Sequence, residues 1–133
     1  MDRLYEVNAT AYNSCSFKEF MINLILKIEE MNLGNCIFIM DNATIHRNLG
    51  VREVIDASNH RIQYLPPYSP FLNPIEECFS KWKGFVKSLN VWNEDELLAG
   101  ILEGFRSVRE WDCEAYVRNM HSFLVRCKNN EEI

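Results

Sequence analysis

The chain has 133 residues, 47% of them hydrophobic and 25% charged, with a net charge of −5. Such a mixture suits one globular domain spanning residues 1–133, and the negative charge argues against a strong nonspecific nucleic-acid binder. Composition also speaks against a membrane span, a signal peptide and a zinc site: no stretch nears the roughly 20 apolar residues a bilayer requires, the first ten residues lack an apolar segment, and the five cysteines form no CxxC pair. Free thiols in a reducing compartment are the reading that follows.

In chain order, residues 3–8 alternate weakly and suggest a strand. Ser16-Phe17-Lys18-Glu19 has the spacing of a capping box. It opens a helix whose apolar positions are Phe17, Phe20, Met21, Leu24, Ile25, Ile28 and Met31. Asn32 to Asn35, with Gly34, end it. The run Cys36-Ile37-Phe38-Ile39-Met40 is short, apolar and bounded by turn residues, which predicts a strand buried on both faces. A short helix is expected over 47–58, with Leu49, Val51, Val54 and Ile55 inward, and a second strand over Arg61 to Leu65. The segment Pro66-Pro67-Tyr68-Ser69-Pro70 excludes regular structure, because its three prolines remove donors and fix φ. Asn73-Pro74 places a cap and an N1 proline at the start of a helix with Ile75, Phe79, Trp82, Val86 and Leu89 on its apolar stripe. Asn93, followed by Glu94-Asp95-Glu96, opens another helix with acids at its positive end. A last helix is expected over 112–127. The order strand, helix, strand, helix, strand, then three helices predicts an α/β sheet with helices on its faces.

Functional groups in such sheets gather beyond the carboxyl ends of parallel strands. Asp41 stands at one such end, where a central strand gives a carboxylate a rigid mount. Glu76 lies about 100° from Ile75 around its helix, on the side also carrying Lys83 and Lys87. Glu77 points further round, four residues before Lys81, as in a surface ion pair. If Asp41 and Glu76 converge, they make a hard oxygen site suited to Mg²⁺ or Mn²⁺. A pair of such ions about 3.5–4 Å apart stabilises both oxygens of an in-line phosphodiester displacement. Plainer readings stand beside each of these. Glu76 also fits a helix cap, Asp41-Asn42 a turn, His46 a structural histidine, and Lys81, Lys83 and Lys87 a solvated face rather than a phosphate-binding one.

Two blocks are more specific. Ile37-Phe38-Ile39-Met40-Asp41-Asn42-Ala43-Thr44-Ile45-His46-Arg47 and the stretch from Tyr64-Leu65-Pro66 through Asn73-Pro74-Ile75-Glu76 to Lys83 resemble the catalytic domain of mariner-like (Tc-type) transposases, within the DDE superfamily of endonucleases. Asp41 and Glu76 are separated by 34 residues, a spacing seen in that family. The likeness is confined mainly to 36–89, with 93–127 as C-terminal helices. It implies an RNase H-like mixed α/β sheet flanked by helices. It further implies an Asp-Asp-Glu triad binding Mg²⁺ (or Mn²⁺), in which Asp41 matches the second acid and Glu76 the third. DNA, as transposon ends and target, is the implied partner. Asn42, His46, Arg47, Lys83 and Lys87 are its candidate contacts, and a nucleus or cytoplasm the implied location. The family's first Asp and first strands lie upstream of the matching blocks, and Asp2 is a poor substitute at a frayed terminus. The chain is therefore expected to be the C-terminal part of such a domain, inactive alone, since a triad acts as a unit. A non-catalytic module binding DNA or a protein partner is the alternative, with the open sheet edge available for a homodimer or another chain. An unrelated metal-dependent α/β hydrolase is the third reading.

Overall fold

The computed structural model describes residues 11–133. The strand expected at 3–8 lies outside them. The chain divides into two compact units, changing over between Tyr68 and Ser69.

The first unit contains helix α1 (Ser14–Glu30), strand β1 (Ile37–Met40), helix α2 (Leu49–Asp56) and strand β2 (Arg61–Tyr64). Helix α1 begins earlier than the Ser16 box suggests. Asn13 is the cap: its Oδ1 accepts from the backbone N–H groups of Cys15 at 2.9 Å and Ser16 at 3.0 Å, while the Ser16 hydroxyl accepts from the Asn13 N–H at 2.9 Å. Asparagine caps as well as serine, and starting at Asn13 puts Ser16 at N3, where it answers reciprocally. The two strands pair in parallel, Ile37 beside Arg61 and Met40 beside Tyr64, with α2 in the crossover that parallel pairing requires. Met21 and Ile25 of α1, Met40 of β1, and Val51 and Ile55 of α2 form one core, lined by Phe17, Phe38, Ile62 and Tyr64. Burial of each large apolar side chain is worth about 1.5–3 kcal/mol.

Strand β1 does not have two buried faces. Phe38 and Met40 turn toward the helices, whereas Ile37 and Ile39 are 62% and 49% exposed. Helices α1 and α2 both contribute to the core on the Phe38 and Met40 side, and period-2 geometry sends alternate residues the other way. At the strand entry, the buried His60 accepts the Cys36 N–H through Nδ1 at 3.0 Å, satisfying a backbone donor just outside the ladder.

The second unit contains one 3₁₀ turn, Pro70–Leu72, and helices α3 (Pro74–Ser88), α4 (Glu94–Ser107) and α5 (Glu110–Lys128). The proline-rich segment thus ends in a short regular turn, for which Pro70 supplies a preset φ at the first position. Helices α3 and α4 meet through Trp82, whose indole N–H donates to the Ile101 carbonyl at 2.7 Å and whose ring lies 5.3 Å from that of Phe105. Gly104 makes this approach possible, since a Cβ there would stand 2.6 Å from Trp82 Cδ1. Lys81 pairs with Asp112 of α5 at 2.6 Å, and Glu77 accepts from the Asn119 amide at 2.8 Å. Glu77 is therefore a bridge to α5 and not the partner of Lys81. All five cysteines are free thiols.

Candidate active site

Asp41 is the first residue past β1. Its Oδ1 accepts the Ala43 N–H at 3.0 Å, the local turn expected of Asp after a strand. Backbone bonds from His46 to Ala43 at 3.0 Å and from Arg47 to Thr44 at 3.2 Å continue the turn and bring His46 back over Asp41. His46 Nδ1 stands 2.6 Å from Asp41 Oδ1. The approach is short but oblique: Nδ1 is shut off from water and takes no directed hydrogen bond. The Asp41 side chain is 51% exposed, and its Oδ2 has no hydrogen-bond or ion-pair partner among the described residues.

The turn is held from below. The Tyr64 hydroxyl donates to the His46 carbonyl at 2.8 Å, and the imidazole lies 4.5 Å from the Phe17 ring. Asn42 donates through Nδ2 to the Leu65 carbonyl at 2.9 Å, tying the exits of the two strands together. Arg47 sets its guanidinium 5.9 Å from the Tyr64 ring centroid, a cation–π distance. Asp41, Asn42, His46 and Arg47 thus share one turn, with the Asn42 amide engaged inside the fold and Arg47 exposed. Phe17 lies outside both blocks, and Tyr64 opens the second without a role the motif assigns. Their signal is position, one on the inner face of α1 and one in register with Met40.

In the second unit, Glu76 is exposed in the first turn of α3. It does not complete a capping box: Asn73 makes no side-chain cap bond, and the Glu76 carboxylate has no partner among the described residues. A carboxylate there complements the positive end of the helix. Lys83 and Lys87 follow seven and eleven positions later, within about 20° of Glu76 at 100° per residue. Both are exposed, with no ion pair among the described residues.

Asp41 and Glu76 each offer free hard oxygen donors of the kind Mg²⁺ and Mn²⁺ take. Among the described residues, no three histidines, cysteines or acids gather into a ready-made cage.

The family follows from comparison with known proteins. Residues 2–98 match the model of the DDE superfamily endonucleases, and the chain belongs to that family. A solved structure of similar fold is that of the Mos1 transposase catalytic domain, described as one with Raltegravir and Mn, at a TM-score of 0.66 and 20% identity. The likeness covers 85% of this chain and 58% of that one, so the chain spans a little over half the length of the domain it matches. The shared fold is the mixed α/β, RNase H-like one. No curated protein matches the sequence. Among the described residues, no helix is long and apolar enough to cross a membrane.

Proposed function

We propose that this chain is a metal-dependent DNA-cleaving and strand-transferring domain of the transposase type, with Asp41 and Glu76 as divalent-ion ligands. The observation that carries the reading is Asp41: a carboxylate fixed at the end of a parallel strand, one oxygen engaged and the other free, in a chain of the DDE endonuclease family. Glu76 supports it as an exposed, unpartnered carboxylate at the family's motif position. A bound Mg²⁺ or Mn²⁺ would activate the attacking oxygen and neutralise charge on the phosphodiester. The chain's own part is to present free carboxylate oxygens from a strand end and a helix start, and to offer Arg47, Lys83 and Lys87 to the DNA backbone. Because the recognised blocks match only the second and third acids of a triad, the chain is proposed to need a further acid for full activity.

The test is nicking of supercoiled DNA in Mn²⁺ by the wild type, Asp41→Asn and Glu76→Gln, with Mn²⁺ affinity read in parallel. Weak nicking that both substitutions abolish supports the reading. If the two carboxylates serve one ion, their effects on Mn²⁺ affinity are non-additive. Binding and nicking indifferent to both substitutions would reject it in favour of a non-catalytic module.

A further inference from the structure

We infer that His46 is a positioning residue for Asp41: its imidazole fixes the carboxylate so that Oδ2 is the oxygen presented outward. This rests on the reading of Asp41 as a metal ligand and goes beyond it, since it gives His46 a role toward Asp41 that motif position alone does not assign.

The geometry makes the case from three sides. First, Oδ1 is approached twice, by the Ala43 N–H at 3.0 Å and by His46 Nδ1 at 2.6 Å, whereas Oδ2 is left alone among the described residues. Two contacts on one oxygen restrict rotation about the side-chain bonds, which reduces the ordering that ion binding would otherwise require. Second, the imidazole is itself immobilised. Phe17 packs against it at 4.5 Å, Tyr64 holds its backbone carbonyl at 2.8 Å, and its side chain is only 21% exposed. The nitrogen that faces Asp41, Nδ1, is enclosed and is not offered to solvent. Third, enclosing a ring nitrogen without a directed bond costs free energy, and the group it faces is the Asp41 carboxylate. Carboxylate ligands of metals are commonly oriented by neighbouring polar groups, and losing one typically costs about 10–100-fold in metal affinity or activity.

The experiment uses the whole chain and Mn²⁺ alone. Mn²⁺ dissociation constants are measured for the wild type, His46→Ala, His46→Asn and Asp41→Asn. The side-chain carboxyl ¹³C resonance of Asp41 is followed without metal in the variants that retain it. His46→Ala is expected to weaken Mn²⁺ binding about 10–100-fold and to move the Asp41 resonance. His46→Asn places an amide nitrogen near the Nδ1 position and is expected to recover most of both. Should His46→Ala fold poorly, Phe17→Leu loosens the ring while leaving the imidazole in place, and an intermediate loss of affinity is expected. The proposal is overturned if His46→Ala leaves affinity and the resonance unchanged, or if His46→Asn loses as much as His46→Ala. Abolished binding in Asp41→Asn with His46→Ala unaffected removes the positioning role and leaves the metal reading intact. Binding indifferent to Asp41→Asn removes both.

Discussion

The two units differ in how they bury apolar surface. In the first, α1, β1 and α2 close on one another, and Met21, Val51 and Ile55 are at most 1% exposed. In the second, α3 and α5 contain no buried residue, α4 buries only Gly100 and Gly104, and the buried apolar side chains are Leu72 and Val108, outside the three helices. Ile75, Phe79, Leu97, Leu98, Leu102, Val117 and Leu124 all remain substantially exposed there. The difference gives the two carboxylates different mounts. Asp41 is mounted on a strand clamped by a closed core, while Glu76 rides on a helix held by a tryptophan joint and polar bridges. Local stability follows the density of buried apolar contacts, so the mount of Asp41 is the stiffer of the two.

The sharpest way to break the comparison is to open the first core. Ile55→Ala removes a fully buried side chain and is expected to cost about 2–5 kcal/mol, read as a lower urea midpoint. Hydrogen exchange would localise the damage to α1, α2 and the strands. Equal loosening of α3 and α5 would contradict the separation into two units. Gly104→Ala tests the tryptophan joint. The added methyl meets Trp82, part of an interlocked α3–α4 contact rather than a free tip, so a loss of about 1–3 kcal/mol is expected, with the change in Trp fluorescence reporting the displaced indole. Asn13→Ala removes both side-chain cap bonds of α1 and should cost about 1 kcal/mol, visible as faster exchange confined to the first turn.

The smallest effect concerns pH. Burial, followed by the Asp112 charge, raises the Tyr116 hydroxyl above its ordinary value of 10.0. The folded state then holds that proton more tightly than the unfolded chain. The associated stability is complete below about pH 10 and is lost as pH climbs from there through the raised value. Tyr116→Phe should flatten this alkaline decline when Tm is followed from pH 9 to 11. An identical slope in both proteins would show that other groups govern it.

Much of the secondary structure was legible because it depends on neighbours in sequence. Asn73-Pro74 and Asn93-Glu94 mark the helix starts at Pro74 and Glu94, and the apolar run before Asp41 is a strand. Two good caps, Asn13 and Ser16, lie three residues apart at the start of α1, and either satisfies the local pattern. Their reciprocal bonds decide between them. Apolar content alone also could not say that Ile37 and Ile39 face outward, since that depends on which side of the sheet α1 and α2 occupy.

For the candidate site, the sequence by itself determined the residue types and their order: a carboxylate closing a strand, a histidine five positions later, and a second carboxylate opening a helix. Local rules of capping, turn formation and period are enough for that. The tertiary structure alone decided that Tyr64 and Phe17 hold His46 over Asp41, and that Glu77 reaches Asn119 instead of Lys81. The physical reason is range. Caps and turns are settled within a few residues, whereas a side chain's partner across 18 or 42 positions is fixed only when strands pair and helices pack.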